Sequence, residues 1–313
     1  MINRVLLRIK IIQILYSYYK SGDKTALMVE KELFYSIEKT YDLYYHLLNL
    51  AVAITDFAVQ KLEARKTKLR PTADDLNPNT RFVDNLFLKQ LRTNVHLKSY
   101  LAEHKLSWAN NQDVLKELYE EIQSTDFYAD YMALDSSDYE TDKELWKKIY
   151  KKVILLNEAL DESIEEQSIY WTDDVEIVIS FILKTIKRFD ASEGIGQALL
   201  PMFKDDEDVD FAKKLLHGVL RNGARYRETI DQNTRNWELE RIAFMDTLIM
   251  EVAMSELMDF PTIPVNVTLN EYIEIAKNYS TDKSGTFING VLDNIVSQLK
   301  EQNKLIKVLM FSK

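Results

Sequence analysis

The sequence predicts an all-α fold. Glycine (7) and proline (5) are scarce among 313 residues, and a turn-rich β architecture needs more of both. Apolar residues recur at three- and four-residue spacing along most of the chain, and no alternating run of useful length interrupts them. They make up 46% of the sequence, enough for a sizeable core at this length.

Residues 4–20 read as the first helix, with Val5, Ile9, Ile12 and Tyr16 near one stripe and Arg4, Arg8 and Lys10 elsewhere around it. Gly22-Asp23 ends it. A long helical pattern runs from about Met28 to Lys66, and Pro71 and Pro78 then bracket a loop. Between about 79 and 170 the chain is more polar, rich in Tyr and acidic residues, yet keeps helical spacing in LKELYEEI and LWKKIYKKVILLNEALDESI. SSDYETD and WTDDVE place Ser, Thr or Asp where a helix needs an N-cap. A helix over 173–190 precedes Ala191-Ser-Glu-Gly194-Ile-Gly196. Beyond it, DDEDVDFAKKLLHGVLRNGARYRETI opens with carboxylates that suit the positive end of a helix. A helix from Trp237 to Phe260 is closed by Pro261 and Pro264. Helices near 268–279 and 284–303 follow, split by the polar loop Ser280–Ser284.

Several chemistries are excluded. With no cysteine there is no disulfide, thiol nucleophile or Cys-ligated zinc. Gly194-Ile-Gly196 lacks the third glycine of a dinucleotide loop and no strand precedes it, so it reads as a helix–helix turn. There is no Gly-Lys-Ser phosphate loop. The histidines at 46, 96, 104 and 217 show no metal-ligand spacing, and DDEDVD lacks the central Gly and closing Glu of a calcium loop. The 50 carboxylates form no distinctive acid–base pair, and neither catalysis nor a cofactor is expected. The apolar N-terminus is interrupted by Arg8, Lys10 and Gln13 and has no small-residue cleavage site. No stretch is apolar enough to span a membrane, so a cytoplasmic protein is expected. The triplets Asn266-Val-Thr268 and Asn278-Tyr-Ser280 then read as chance matches to the glycosylation pattern.

A net charge of −10 argues against a protein coated in nucleic acid, since phosphate affinity comes from Lys and Arg. Two basic concentrations stand out. Residues 1–20 carry Arg4, Arg8, Lys10 and Lys20 with no acid. The second is Lys61, Arg65, Lys66, Lys68 and Arg70, read first as a solvated helix end, with a phosphate contact as the alternative. Near the C-terminus, FINGVLDNI places Gly290 inside an apolar helical pattern, at about 1 kcal/mol relative to Ala. Close packing of the last helix across Gly290 and Asn289, against the N-terminal helix, is the physical reading.

NVTLNEYIEIAKNYSTDKSGTFINGVLDNI resembles the C-terminal signature of the NusB family of bacterial transcription antitermination factors. The match is carried by Val267, Leu269-Asn270-Glu271, Glu274-Ile275-Ala276-Lys277 and the block Phe287–Asp293. LLHGVLRN (215–222) and MEVAMSEL (250–257) are similar to two further family helices, and RVLLRIKIIQILYSYYKS to its first. Glu251 stands where the family pattern has Arg, and Ser255 where it has Tyr. The match covers about the first 20 residues and roughly 205–300, in a family typically half this length.

The resemblance implies two helical bundles, no catalysis, and a pair with the ribosomal protein NusE that binds boxA-like single-stranded RNA and acts on RNA polymerase. It divides the chain into a helical region at 1–200, with an insertion at about 70–170, and a C-terminal bundle at 201–313. It implies RNA contacts at Arg4, Arg8, Thr281, Asp282, Lys283, Ser284 and Asn289, with Arg4 and Arg8 beside the 281–284 loop. Tyr16 and Asp246 match positions near the NusE contact. Replacing Arg4 and Arg8 by Ala is expected to leave stability almost unchanged. A helical adaptor that binds only protein is the alternative. A cytosine methyltransferase with a NusB-like domain needs a catalytic Cys that this chain lacks.

Overall fold

A computed structural model describes residues 1–234 and 243–308. Among these residues there are fourteen α-helices, two short 3-10 turns and no strand. Contacts divide the chain into two compact units, one of Ile2–Ile37 with Phe203–Lys313 and one of Glu38–Met202 with Met1. This cuts the chain differently from a division at residue 200, because the first helix groups with the C-terminal bundle.

That bundle contains α1 (Arg4–Ser21), the start of α2 (Ala26–Lys66), α11 (Asp206–Thr234), α12 (Phe244–Asp259), α13 (Val265–Tyr279) and α14 (Ser284–Glu301). The part of the predicted helix from Trp237 to residue 242 lies outside the described residues. Asn3 caps α1 by accepting from the Leu6 amide at 3.0 Å. Gly22 ends it at φ +72°, its N–H bonded to the Tyr18 carbonyl, a left-handed cap that glycine adopts without strain. The single-stripe reading of α1 needs correction. Leu6, Leu7, Ile11 and Leu15 are wholly buried, as are Arg8 and Lys10, while Val5 and Tyr16 are exposed. A helix apolar on most faces is a buried helix, and α1 packs on both α11 and α12.

The close helix approach predicted at Gly290 occurs elsewhere. Gly290 and Asn289 are exposed on α14. The crowded glycines are in α11: a Cβ at Gly218 would overlap Ser255 Oγ and stand 2.5 Å from Asp259 Oδ2, and one at Gly223 would stand 2.7 Å from the Tyr19 hydroxyl. Ser255, which replaces the family's Tyr, thus lies where α11 and α12 nearly touch.

The second unit contains the rest of α2, then α3 (Ala73–Leu76), α4 (Leu86–Thr93), α5 (Val95–His104), α6 (Gln112–Ser124), α7 (Asp126–Met132), α8 (Tyr139–Lys152), α9 (Glu158–Gln167) and α10 (Val175–Arg188). Leu43, Leu47, Leu50 and Ile54 give α2 a buried stripe. Large polar-tipped aromatics grip its backbone: Trp171 donates to the Lys39 carbonyl at 2.7 Å, Trp108 to that of His46 at 2.9 Å and Tyr150 to that of Leu47 at 2.7 Å. Each buries an apolar body while satisfying its donor. Asp138 caps α8 by accepting from the Thr141 amide at 2.7 Å. Asp174 precedes α10 without a side-chain cap bond and instead accepts from Thr40 at 2.5 Å. LWKKIYKKVILLNEALDESI divides between α8 and α9 because Asn157 accepts from the Leu160 amide at 2.8 Å and starts a new helix. Gly194, at φ +55°, sits within the 3-10 turn Ala191–Gly196.

Candidate nucleic-acid interface

The C-terminal bundle is organised around a buried ion pair. The guanidinium of Arg8 donates to both oxygens of Glu256, Nε to Oε2 at 2.7 Å and Nη2 to Oε1 at 2.9 Å, and to Glu271 at 3.1 Å. Glu256 is fully buried, and its oxygens also accept from Thr268 at 3.0 Å and Tyr272 at 3.0 Å. Burial works against the charged guanidinium, but its bond to Glu256 and the surrounding charges outweigh this, and the pKa of Arg8 rises. The guanidinium therefore stays charged, and its bidentate bonds tie α1 to α12 and α13. Arg8 is not the phosphate contact that its position suggested, because its fork is consumed inside the protein.

Arg4 is part-exposed and faces carboxylates. It approaches Asp208 at 3.4 Å and Glu207 at 3.7 Å and lies over the ring of Phe211 at 5.0 Å. The acidic start of α11 holds this arginine and repels a phosphate strand there. A helix rises 1.5 Å per residue, so Arg4 and Tyr16 are about 18 Å apart along α1. The 281–284 loop belongs with Tyr16. The Tyr16 ring meets Phe244 edge-on at 5.5 Å, and two residues later Asp246 accepts from Ser280, just before the loop, at 2.5 Å. The structure therefore brings Tyr16, Asp246 and the loop to one end of α12, and leaves Arg4 at the other end of α1.

Within the loop, Ser284 is buried, and its Oγ accepts from the Thr281 amide at 3.0 Å and bonds the Thr281 hydroxyl at 2.8 Å. It shapes the loop rather than meeting a ligand. Thr281, Asp282 and Lys283 are exposed. Asp246 is buried and anchors Ser280. Asn289 is exposed on the following turns of α14.

Two residues absent from the sequence-predicted set complete this edge. Lys20 is exposed, its ammonium 4.7 Å from the Phe244 centroid and 5.5 Å from that of Tyr16. The spacing of Tyr16 and Lys20, one helical turn, was the available signal. Phe244 comes from the distant α12, which no local pattern ties to α1. Nearby, Glu251 occupies the family's arginine position as a fully buried carboxylate between Tyr19 at 3.0 Å and Arg227 at 2.6 Å. Burial raises its pKa above the usual carboxylate range, opposed by the bond from Arg227. A cation on α11 thus answers the charge that α12 gained.

No group of His, Asp or Glu suited to a metal ion occurs among the described residues. No helix among them is long and apolar enough to cross a membrane.

The model of the NusB family matches residues 180–297. The chain is similar to the transcription antitermination protein NusB of Salinibacter ruber, with 36% identity over 132 residues, 40% of this chain and 82% of that protein. It is similar to the NusB of Bacillus subtilis, 36% identical over 38% of this chain and 92% of that protein. The NusB of Geotalea uraniireducens is 37% identical over 44% of this chain and 91% of its own length. Among solved structures, T. maritima NusB matches at 26% identity over 46% of this chain and 92% of that one, with a TM-score of 0.29. These relatives are named for transcription antitermination and not for an enzymatic reaction. Spanning most of each relative at this identity, the chain belongs to the NusB family.

Proposed function

We propose that the protein is a cytoplasmic, non-catalytic transcription antitermination factor that binds boxA-like single-stranded RNA together with NusE, as part of an RNA polymerase antitermination complex. Membership of the NusB family carries this reading. The edge formed by exposed Tyr16, Lys20, Thr281 and Lys283 with half-buried Phe244 supports it, since single-stranded RNA is held by cations beside aromatic faces. The acidic body of the chain, at net −10, suits a basic ribosomal protein as partner.

A protein-only adaptor is favoured by one observation: Arg8 is buried and Arg4 faces carboxylates, so the N-terminal arginines do not form a free basic surface. The two readings separate in a salt titration with NusE present. Lys20→Ala with Lys283→Ala should weaken RNA binding and flatten its salt dependence by up to about two phosphate contacts. An unchanged affinity and slope would exclude this edge.

A further inference from the structure

At the C-terminal end of α2 a groove of about 360 Å³ opens between α2 and α6. Lys61, Arg65 and Lys68 line one side, and Tyr119, Glu120 and Gln123 the other. The run from Lys61 to Arg70 carries five cations against one carboxylate, Glu63, in a chain whose net charge is −10. A helix dipole accounts for cations in the last turn, here Arg65 and Lys66. It does not account for Lys61 a turn earlier, for Lys68 and Arg70 beyond the helix, or for the groove.

Lys68 is held by Asp75 at 2.9 Å. Among the described residues, no carboxylate lies in ion-pair range of Lys61 or Arg65. The Lys61 ammonium sits 5.1 Å from the Phe57 centroid, which orients it while leaving it exposed. Lys61 and Arg65 are four residues apart, so they share a helix face and are offset by about 6 Å along the axis. Successive phosphates on an extended strand are separated by a comparable distance. Gln123 donates its amide to the Tyr119 hydroxyl at 3.2 Å, which fixes the side chain and leaves its carbonyl oxygen to accept from a ribose 2′-hydroxyl.

We propose that this groove is a second RNA-contact site, holding the phosphodiester backbone of a single strand on Lys61 and Arg65 with Gln123 at the sugar edge. It lies outside the segment that matches the NusB family, and it rests on the reading of the protein as an RNA binder.

The test is a set of salt titrations on the full chain with an oligouridylate of about twelve nucleotides. Three proteins are compared: wild type, Lys61→Ala with Arg65→Ala, and Lys20→Ala with Lys283→Ala, with matching thermal melts required of all three. The groove variant should bind about tenfold more weakly at low salt, and its log–log salt slope should fall by about two. If it matches wild type while the Lys20/Lys283 variant weakens, the groove is overturned and the family edge stands. If only the groove variant weakens, the groove stands and the family edge fails. Wild-type protein that binds no oligouridylate overturns both. Polyglutamate bound as tightly as RNA, and lost on the same two substitutions, overturns the groove's RNA in favour of an acidic protein segment.

Discussion

Arg8 and Arg4 are one turn apart in sequence and opposite in role. Arg8→Ala leaves the carboxylate of Glu256 buried without its partner, a change that typically costs about 3–5 kcal/mol. Arg4→Ala removes a part-exposed pair and should cost under about 1 kcal/mol. Urea unfolding of the two single variants checks this, and equal midpoints would refute the buried-pair account. The expectation that both arginines are dispensable for stability fails because charge alone does not reveal burial: Glu256 and Glu271 reach Arg8 from about 250 residues away. The glycines repeat the lesson. Gly218→Val should overpack the contact with Ser255 and Asp259 and cost about 1–3 kcal/mol. Gly290→Ala, at an exposed helical position, should leave stability unchanged or raise it by up to about 1 kcal/mol. Thermal melts in which Gly290→Ala were the more damaging change would overturn this assignment.

At the scale of elements, helix positions were legible wherever periodicity and caps agreed. The predicted helix at 28–66 is observed as Ala26–Lys66, and that at 173–190 as Val175–Arg188. The candidate site was only partly legible. The loop at 281–284 could be read from the family pattern, but its grouping with Tyr16 and Phe244 depends on α1 lying against α12, a contact with no local signal. The grip on α2 was equally hidden, since Trp108 and Trp171 reach it from far along the chain. Their rings stack on His46 at 4.1 and 5.3 Å. Neither imidazole nitrogen has a hydrogen-bond partner; Gln167, whose proximity works the other way, does not reach bonding geometry. Burial pushes the His46 pKa down to about 4. Because the folded value lies below the unfolded one, near 6.5, the stabilisation is complete above that pH and is lost as pH falls towards 4, on the order of 3 kcal/mol in all. His46→Phe keeps a stacked ring without the titration. Its unfolding free energy should vary less than wild type's between pH 6.5 and 4, and an identical dependence would exclude His46 as the cause.

For the whole molecule, the family's bundle is assembled from both ends of the chain. Residues 203–313 alone lack Arg8 and the apolar surface of α1, so that fragment should melt without a cooperative transition. A peptide of residues 2–37 supplied in trans should restore one, and a sharp melt of the fragment alone would show that α1 is dispensable. Deleting 79–165 should likewise damage the region 38–202, because it removes Trp108 and Tyr150, which bond the α2 carbonyls of His46 and Leu47. The central claim is that this fold serves RNA binding in transcription antitermination. Its most direct test is an anisotropy titration of boxA-like RNA with the full chain, with and without NusE, across salt concentrations. Saturable binding that NusE tightens and salt weakens is the expected result. A stable complex with NusE that leaves the RNA free at low salt would contradict the claim and establish the protein-only adaptor.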